Sequence, residues 1–186
     1  MKKAALILIA VLVLASAQVG SAQVIYGWSV SGSSTDPFVN TGTASMAVTN
    51  LYLWLACSEG SGMSAAEFDM VVTGISPLAF TPMNGFLNAG TFPALLLAVG
   101  GCPNGPLVAG SILVLDLPGN IAFAPSAANG ILGTVDCVTP VPNLWPMEWR
   151  GYDNTGAPAP ESKPGDLCEV VSVEDGSWGS IKSLYR

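Results

Sequence analysis

The sequence predicts an all-β domain, an antiparallel β-sandwich of about eight or nine strands followed by a short C-terminal helix. Glycine occurs 21 times and proline 14 times in 186 residues, and both are spread over most of the chain. Between them lie short runs rich in Val, Leu, Ile, Phe and Tyr, a pattern that is typical of strands joined by turns. Helical patterns do not alternate with these runs, which argues against a parallel α/β sheet.

The first 22 residues have the composition of a secretory signal peptide. Two lysines precede the apolar run Ala4–Ala15, which is too short to cross a bilayer core of about 30 Å. Cleavage is possible after Ala17 or Ala22, and the longer polar stretch favours Ala22; an uncleaved N-terminal anchor is the alternative. The short, lysine-led form is typical of bacteria. We therefore expect a secreted protein, extracellular or periplasmic, with no membrane span once residues 1–22 are removed.

The charge balance excludes several classes of function. Cleavage removes Lys2 and Lys3 and leaves 4 basic and 13 acidic residues, a net charge of −9. So few cations cannot form the positive surface with which proteins bind nucleic acids. The chain also has no histidine, which excludes Ser-His-Asp and Cys-His catalytic groups and His-ligated metals. We expect no cofactor, no metal site and no enzymatic activity.

The predicted sandwich occupies residues 23–173. Eight candidate strands fall within it, namely Val24–Val30, Thr43–Thr49, Leu51–Cys57, Ala65–Thr73, Pro93–Val99, Ser111–Leu117, Gly133–Val138 and Leu167–Val173. The segment 140–165 is rich in proline and tryptophan and is predicted to be an irregular excursion from the sheets. Residues 174–186 form the predicted helical tail, because apolar side chains recur there at helical spacing.

Two candidate strands indicate which of their faces are buried. In Leu51–Cys57 both faces are apolar, so we expect a central strand that is covered on both sides. In Ala65–Val72 the even-numbered residues are apolar, whereas Glu67 and Asp69 lie on the opposite face. That face is expected to point outward, at least in part.

The cysteines predict a domain that contains two disulfides. Cys57, Cys102, Cys137 and Cys168 all lie in the exported part, and an even number in an oxidising compartment indicates two disulfides. Of the three possible connectivities, the sequential one, Cys57–Cys102 and Cys137–Cys168, closes loops of moderate length and is favoured. A four-thiolate metal site is disfavoured because the chain contains no Cys-x-x-Cys pair.

Three aromatic residues in the proline-rich segment, Trp145, Trp149 and Tyr152, are the candidate ligand-binding residues. Exposed aromatic rings stack on sugar rings, which predicts a glycan site. The alternative is that these rings hold an irregular segment against the core, because each buried aromatic side chain covers about 150–250 Å².

The acidic residues offer a second kind of chemistry. Glu67 and Asp69 are two positions apart on one strand, so their carboxylates point the same way, as glycoside hydrolysis or calcium binding could use. Asp116 and Asp136 follow or interrupt apolar runs and could contribute to a calcium site. The favoured interpretation is that Glu67 and Asp69 are solvated charges on an outward strand face.

Three short pieces carry a family resemblance. Ser64–Val72 reads Ser-Ala-Ala-Glu-Phe-Asp-Met-Val-Val, Pro77–Phe80 has a Leu-x-Phe pattern, and Gly110–Leu117 is a long apolar strand. With these pieces, Leu51–Val138 resembles the superfamily of cohesin-like and carbohydrate-binding β-sandwiches. The resemblance implies an immunoglobulin- or cohesin-like sandwich and a role in binding. Two disulfides depart from ordinary cohesins, so dockerin binding is not implied.

Together these features predict a secreted, non-catalytic module with a binding or structural role outside the cell or in the envelope. A carbohydrate-binding module is the alternative, and a carboxylate-based glycoside hydrolase is less favoured. The expected partner is a glycan or another envelope protein. Self-association is also plausible, because the chain is apolar and carries few charges.

Overall fold

The computed structural model describes residues 26–58 and 60–168. In these residues the chain is all β, as the sequence predicts, with eleven strands and no helix. The strands are β1 Tyr26–Ser31, β2 Val48–Cys57, β3 Met63–Thr73, β4 Ser76–Pro82, β5 Phe86–Asn88, β6 Ala94–Val99, β7 Leu107–Leu115, β8 Asn120–Ala124, β9 Gly133–Asp136, β10 Leu144–Arg150 and β11 Tyr152–Asp153. None of the described segments forms a helix with the length and hydropathy needed to span a bilayer.

The strands form one mixed, nearly closed sheet. Hydrogen-bonded neighbours follow the order β11-β8-β3-β9-β10-β1-β2-β7-β4. β8 and β9 both pair with one edge of β3, β6 pairs with the opposite edge, and β5 pairs with β6. The prediction of an antiparallel sandwich of eight or nine strands is therefore met only in its all-β class, since the described residues form eleven strands in one mixed sheet and β10 runs parallel to β1. Because β10 also pairs antiparallel with β9, it joins the two halves of the sheet.

The predicted faces of the two interpreted strands are confirmed. β2 lies between β1 and β7, and Leu53, Trp54 and Leu55 are all buried, as expected for a strand that is covered on both sides. In β3, Ala66, Phe68 and Met70 are buried, whereas the intervening residues are partly exposed.

The prediction of an irregular excursion over 140–165 is wrong for the middle of that segment, which contains β10 and β11, whereas residues 154–165 contain no strand beyond an isolated bridge at Glu161. The sequence interpretation gave the prolines more weight than the alternation in Trp145-Pro-Met-Glu-Trp149, in which every second side chain packs on the core. The strands β4, β5 and β8 were also missed. Thr43–Thr49 is a strand only from Val48 onward.

Several predictions fall largely or wholly outside the described residues. These are the signal peptide, the helical tail and most of the strand predicted at 167–173, of which Leu167 and Cys168 form a turn.

An aromatic cluster fills the core between the two halves of the sheet. The ring centroid of Trp28 lies 5.4 Å from that of Phe68 and 6.5 Å from that of Phe86, and Phe68 lies 5.0 Å from Phe123. The indole of Trp28 donates to Thr134 Oγ1 over 2.9 Å, so its one polar atom is satisfied although the residue is fully buried.

The two predicted disulfides are present, but the sequential pairing is wrong. Cys57 bonds Cys168 and Cys102 bonds Cys137. Cys102 follows β6 and Cys137 follows β9, and these strands flank β3 at the same end, with Ala98 and Val135 both paired to Ala65. Sheet register, rather than loop length, therefore sets this pairing.

The other disulfide depends on close packing against β1. Gly27 is paired with Cys57, and a Cβ atom at position 27 would overlap the Cys57 sulfur. The absence of a side chain on Gly27 thus leaves the space in which Cys168 reaches Cys57.

Candidate binding surfaces

The three predicted ligand-binding aromatics lie on β10 and β11, but their rings pack inward. Trp145 and Trp149 are partly buried on the core side of β10. Trp145 Nε1 donates to Asp136 Oδ2 over 2.8 Å, and the Trp149 ring lies 5.5 Å from that of Phe123. These contacts brace β10 against the core and leave only part of each ring free for a ligand.

Tyr152 is 6% exposed, so its ring face is not available as a platform. Burial, together with the nearby carboxylates of Asp116 and Asp153, raises the pKa of the Tyr152 hydroxyl. The tyrosine is therefore neutral over the physiological range. A ligand-binding role for Trp145 and Trp149 stays a prediction.

Asp136 is a buried carboxylate that organises the turn between β9 and β10. It accepts hydrogen bonds from the backbone N–H groups of Val138 and Asn143, from the Asn143 amide and from the Trp145 indole, over 2.7–3.1 Å. Burial alone would raise its pKa, but these four donors outweigh burial and lower the pKa to about 2. Asp136 is therefore ionised, and its hydrogen bonds hold the turn between β9 and β10.

Asp116 has a similar role at the opposite end of the fold. It is 4% exposed and accepts from the Ser45 backbone N–H over 2.8 Å and from the Asn154 amide over 2.6 Å. Burial opposes ionisation, but these hydrogen bonds prevail and lower the pKa of Asp116. A lowered pKa suits a structural anion and is the opposite of what the proton-donating acid of a glycosidase needs.

Glu67 and Asp69 point to the same side of β3, as predicted, and both contact the loop after β8. Asn129 Nδ2 donates to Glu67 Oε1 over 2.7 Å, and the Ala127 N–H donates to Asp69 Oδ2 over 2.9 Å. The two carboxylates therefore anchor that loop. Within residues 26–58 and 60–168, no group of three Asp, Glu, His or Cys side chains is placed to hold a metal ion.

The register of five strands creates a feature that the sequence interpretation missed, an apolar row on the solvent side of the sheet. Leu87 of β5 is opposite Ala98, which is opposite Ala65, then Val135 and finally Leu144 of β10. Directly opposed residues point to the same side of a sheet. Leu87 is 71% exposed and Leu144 is 56% exposed.

A second row lies beside the first and is formed by Leu96, Glu67, Gly133 and Pro146. We call these two rows the outer face. Glu67, which Asn129 engages, is the one charged residue in them. The turn just beyond Val135 adds Val138 and Val141, which are 40% and 70% exposed. The Cys102–Cys137 disulfide and Asp136 hold this turn in place.

A groove lies on another part of the molecule, where the β1–β2 loop meets the end of β10. Two adjoining hollows of about 470 and 280 Å³ are both lined by Phe38 and Arg150. Arg150 donates to Glu161 Oε2 over 3.2 Å and to the carbonyl of Gly165. Thr41 and Pro158 complete much of the smaller hollow.

The loop that carries Phe38 is held by its own hydrogen bonds. Ser29 Oγ donates to the Pro37 carbonyl over 2.7 Å, and the Phe38 N–H donates to Asp36 Oδ1 over 2.8 Å. The Asn40 amide donates to the carbonyls of Val30 and Pro37. This loop leaves the Phe38 side chain 50% exposed at the groove.

Sequence reasoning missed Phe38 and Leu87 as surface residues. The run Ser31-Gly-Ser-Ser-Thr-Asp-Pro37 before Phe38 is a turn signal, and an aromatic residue after such a run could have been flagged. Leu87 carries no comparable signal, since it becomes part of a surface only through strand register. Comparisons with protein-family models and with curated proteins find no match to this chain.

Proposed function

We propose that the chain is an exported, non-catalytic structural module that packs its outer face against a second copy in an extracellular or periplasmic assembly. The single observation that carries this proposal is the uncharged first row, Leu87-Ala98-Ala65-Val135-Leu144, which runs across five strands. The two disulfides are compatible with an extracellular or periplasmic location.

The size of the outer face suits a weak dimer. Five strands spaced by about 4.8 Å span roughly 19 Å, and the two rows with the adjoining turn cover on the order of 500 Å². Two copies would then bury about 1,000 Å² together, which is the lower limit for a specific interface. Leucines at the two ends of the first row and the smaller Ala98, Ala65 and Val135 between them give a shallow trough that apolar side chains of a second copy can fill.

Self-association could also occur by hydrogen-bonded pairing of edge strands, but the edge strands of this sheet disfavour it. β4 ends the sheet on one side and contains Pro77 and Pro82, which cannot donate ladder hydrogen bonds. β5 and β11, the other terminal strands, have only three and two residues. Short or proline-containing edges disfavour the addition of strands, so association through a face of the sheet is favoured over edge pairing.

Leu87→Lys is expected to abolish self-association of the mature chain. Leu87 is 71% exposed, so the substitution leaves the folded monomer intact, but it places a desolvated charge at one end of the first row when two faces pair. Sedimentation equilibrium measures the effect. We expect a dissociation constant in the micromolar to millimolar range for the native chain and at least a tenfold weaker one for the variant.

Val48→Lys is the matched control, because Val48 is 59% exposed on β2, away from the outer face. Both lysine variants reduce the net negative charge of the chain equally, so general repulsion between copies falls equally in both. The proposal would be wrong if the native chain stays monomeric at millimolar concentration, or if Leu87→Lys and Val48→Lys weaken association to the same extent.

A further inference from the structure

We propose that the groove between Phe38 and Arg150 is a binding site for a neutral saccharide. Nothing in this inference depends on the outer face, and the residues that carry it differ from the three aromatics that the sequence singled out. Two observations support it, namely an aromatic side chain at the mouth of the groove and a paired donor and acceptor on its wall.

The first observation is that Phe38 is exposed but positioned. Hydrogen bonds from Ser29 and Asn40 to the Pro37 carbonyl fix the backbone before Phe38, and the Gly32 N–H donates to the Val39 carbonyl after it, so little backbone entropy is lost when a ligand binds. Phe38 presents an apolar surface to solvent, and the C–H-rich face of a pyranose ring is a natural partner for such a surface.

The second observation is the pair formed by Arg150 and Glu161. The guanidinium has further N–H donors, and the carboxylate has further lone pairs, besides those used in their mutual contact at 3.2 Å. Neighbouring hydroxyls of a sugar are both donors and acceptors. A donor and an acceptor side by side at the groove wall therefore match two adjacent hydroxyls.

Asn40 fixes the shape of the site rather than contacting the ligand; it lines the smaller hollow and is 5% exposed. Its amide nitrogen donates to two backbone carbonyls, which fixes the orientation of the amide. Its Oδ1 has no hydrogen-bond partner and is closed to solvent, so this oxygen is not a contact that a ligand in the hollow can reach.

The charge of the groove wall and the volumes of the two hollows favour a short, neutral sugar. Arg150 is balanced by Glu161, and Asp166 adds a further acid to the larger hollow. An acidic sugar would therefore meet a net negative wall on a protein that is itself acidic, whereas a neutral sugar would not. The hollows lie near the lower end of the volumes typical of small-molecule sites, which suits one or two sugar rings.

Calorimetric titration of the disulfide-bonded mature chain tests this site. The probes are cellotetraose, a mannose tetrasaccharide and tetra-N-acetylchitotetraose, with an oligogalacturonate as the acidic arm. Among the neutral probes, cellotetraose and tetra-N-acetylchitotetraose represent β-linked polysaccharides, and the mannose tetrasaccharide represents the mannose-rich glycan of a glycoprotein. We expect at least one neutral probe to bind in the micromolar to low-millimolar range, and the oligogalacturonate to bind more weakly.

Phe38→Ala is expected to weaken that binding about tenfold, and Phe38→Tyr to preserve it, because the tyrosine retains an aromatic face. Val39→Ala is the matched control, since Val39 is the neighbouring residue, is 41% exposed and does not line the groove. Two outcomes overturn the proposal: no neutral probe binds the native chain, or Phe38→Ala and Val39→Ala bind the probe equally well.

Discussion

Replacing both Cys57 and Cys168 with serine is expected to lower the free energy of unfolding by about 5 kcal/mol. This disulfide joins residues 111 positions apart, and a crosslink that closes so long a loop restricts the unfolded chain strongly. It also joins the end of the described domain to β2 beside Gly27, where Leu167 is 5% exposed. A single domain of this size typically has a stability of about 5–15 kcal/mol, so the variant is expected to be marginal.

Chemical denaturation of the native and variant chains measures this loss. The comparison variant removes Cys102 and Cys137, which are 35 positions apart, and is expected to lose about 4 kcal/mol. Peptide mapping without reduction is a direct check of the pairing and should recover Cys57 linked to Cys168. Recovery of Cys57 linked to Cys102, or a loss below about 1 kcal/mol, would contradict the described arrangement.

The second large effect is expected for Asp136→Asn, which should lower the free energy of unfolding by about 3 kcal/mol at neutral pH. The carboxylate accepts four hydrogen bonds while 2% exposed. An asparagine offers one acceptor oxygen and turns an N–H₂ group toward donors, so buried N–H groups lose their partners. Asp166→Asn, at an exposed position, is the control and should change stability by less than about 0.5 kcal/mol.

The same carboxylate predicts a pH dependence. The pKa of Asp136 is about 2 in the folded chain and 3.8 when the group is unperturbed, so the unfolded state binds the proton more readily. Its contribution of about 2 kcal/mol is fully present above about pH 5 and is lost as the pH falls from about 4 to about 2. In Asp136→Asn this part of the acid transition should be missing. An unchanged profile would show that Asp136 is not the stabilising anion.

The sequence predicted the all-β class because glycine, proline and β-branched residues are strong local signals. It also predicted the buried face of β3, since the alternation in Ala66-Glu-Phe-Asp-Met70 is itself the strand period. β10 was missed because Pro146 and its neighbouring prolines resemble a loop. Pro146 is nevertheless accommodated on the exposed side of β10, opposite Gly133, while Trp145 and Met147 pack on the core.

The candidate surfaces depend on information that no local pattern contains. The first row of the outer face combines residues from five strands between Ala65 and Leu144, and only their register aligns them. The disulfide pairing likewise follows from which strands flank β3. Trp145 and Trp149 were correctly recognised as unusual, but alternation along β10 turns both rings toward the core, the alternative already open from the sequence.

The most direct test of the proposed assembly is the concentration dependence of backbone and methyl NMR signals of the mature chain. Dilution from millimolar to micromolar concentration should shift the signals of Leu87, Leu96 and Leu144 most. The signals of Val48 and Met46, which are also exposed but lie elsewhere, should stay in place. Shifts confined to the outer face, and absent in Leu87→Lys, are the predicted result. Signals that do not change with concentration, or that change mainly at Val48 and Met46, would contradict the proposed assembly.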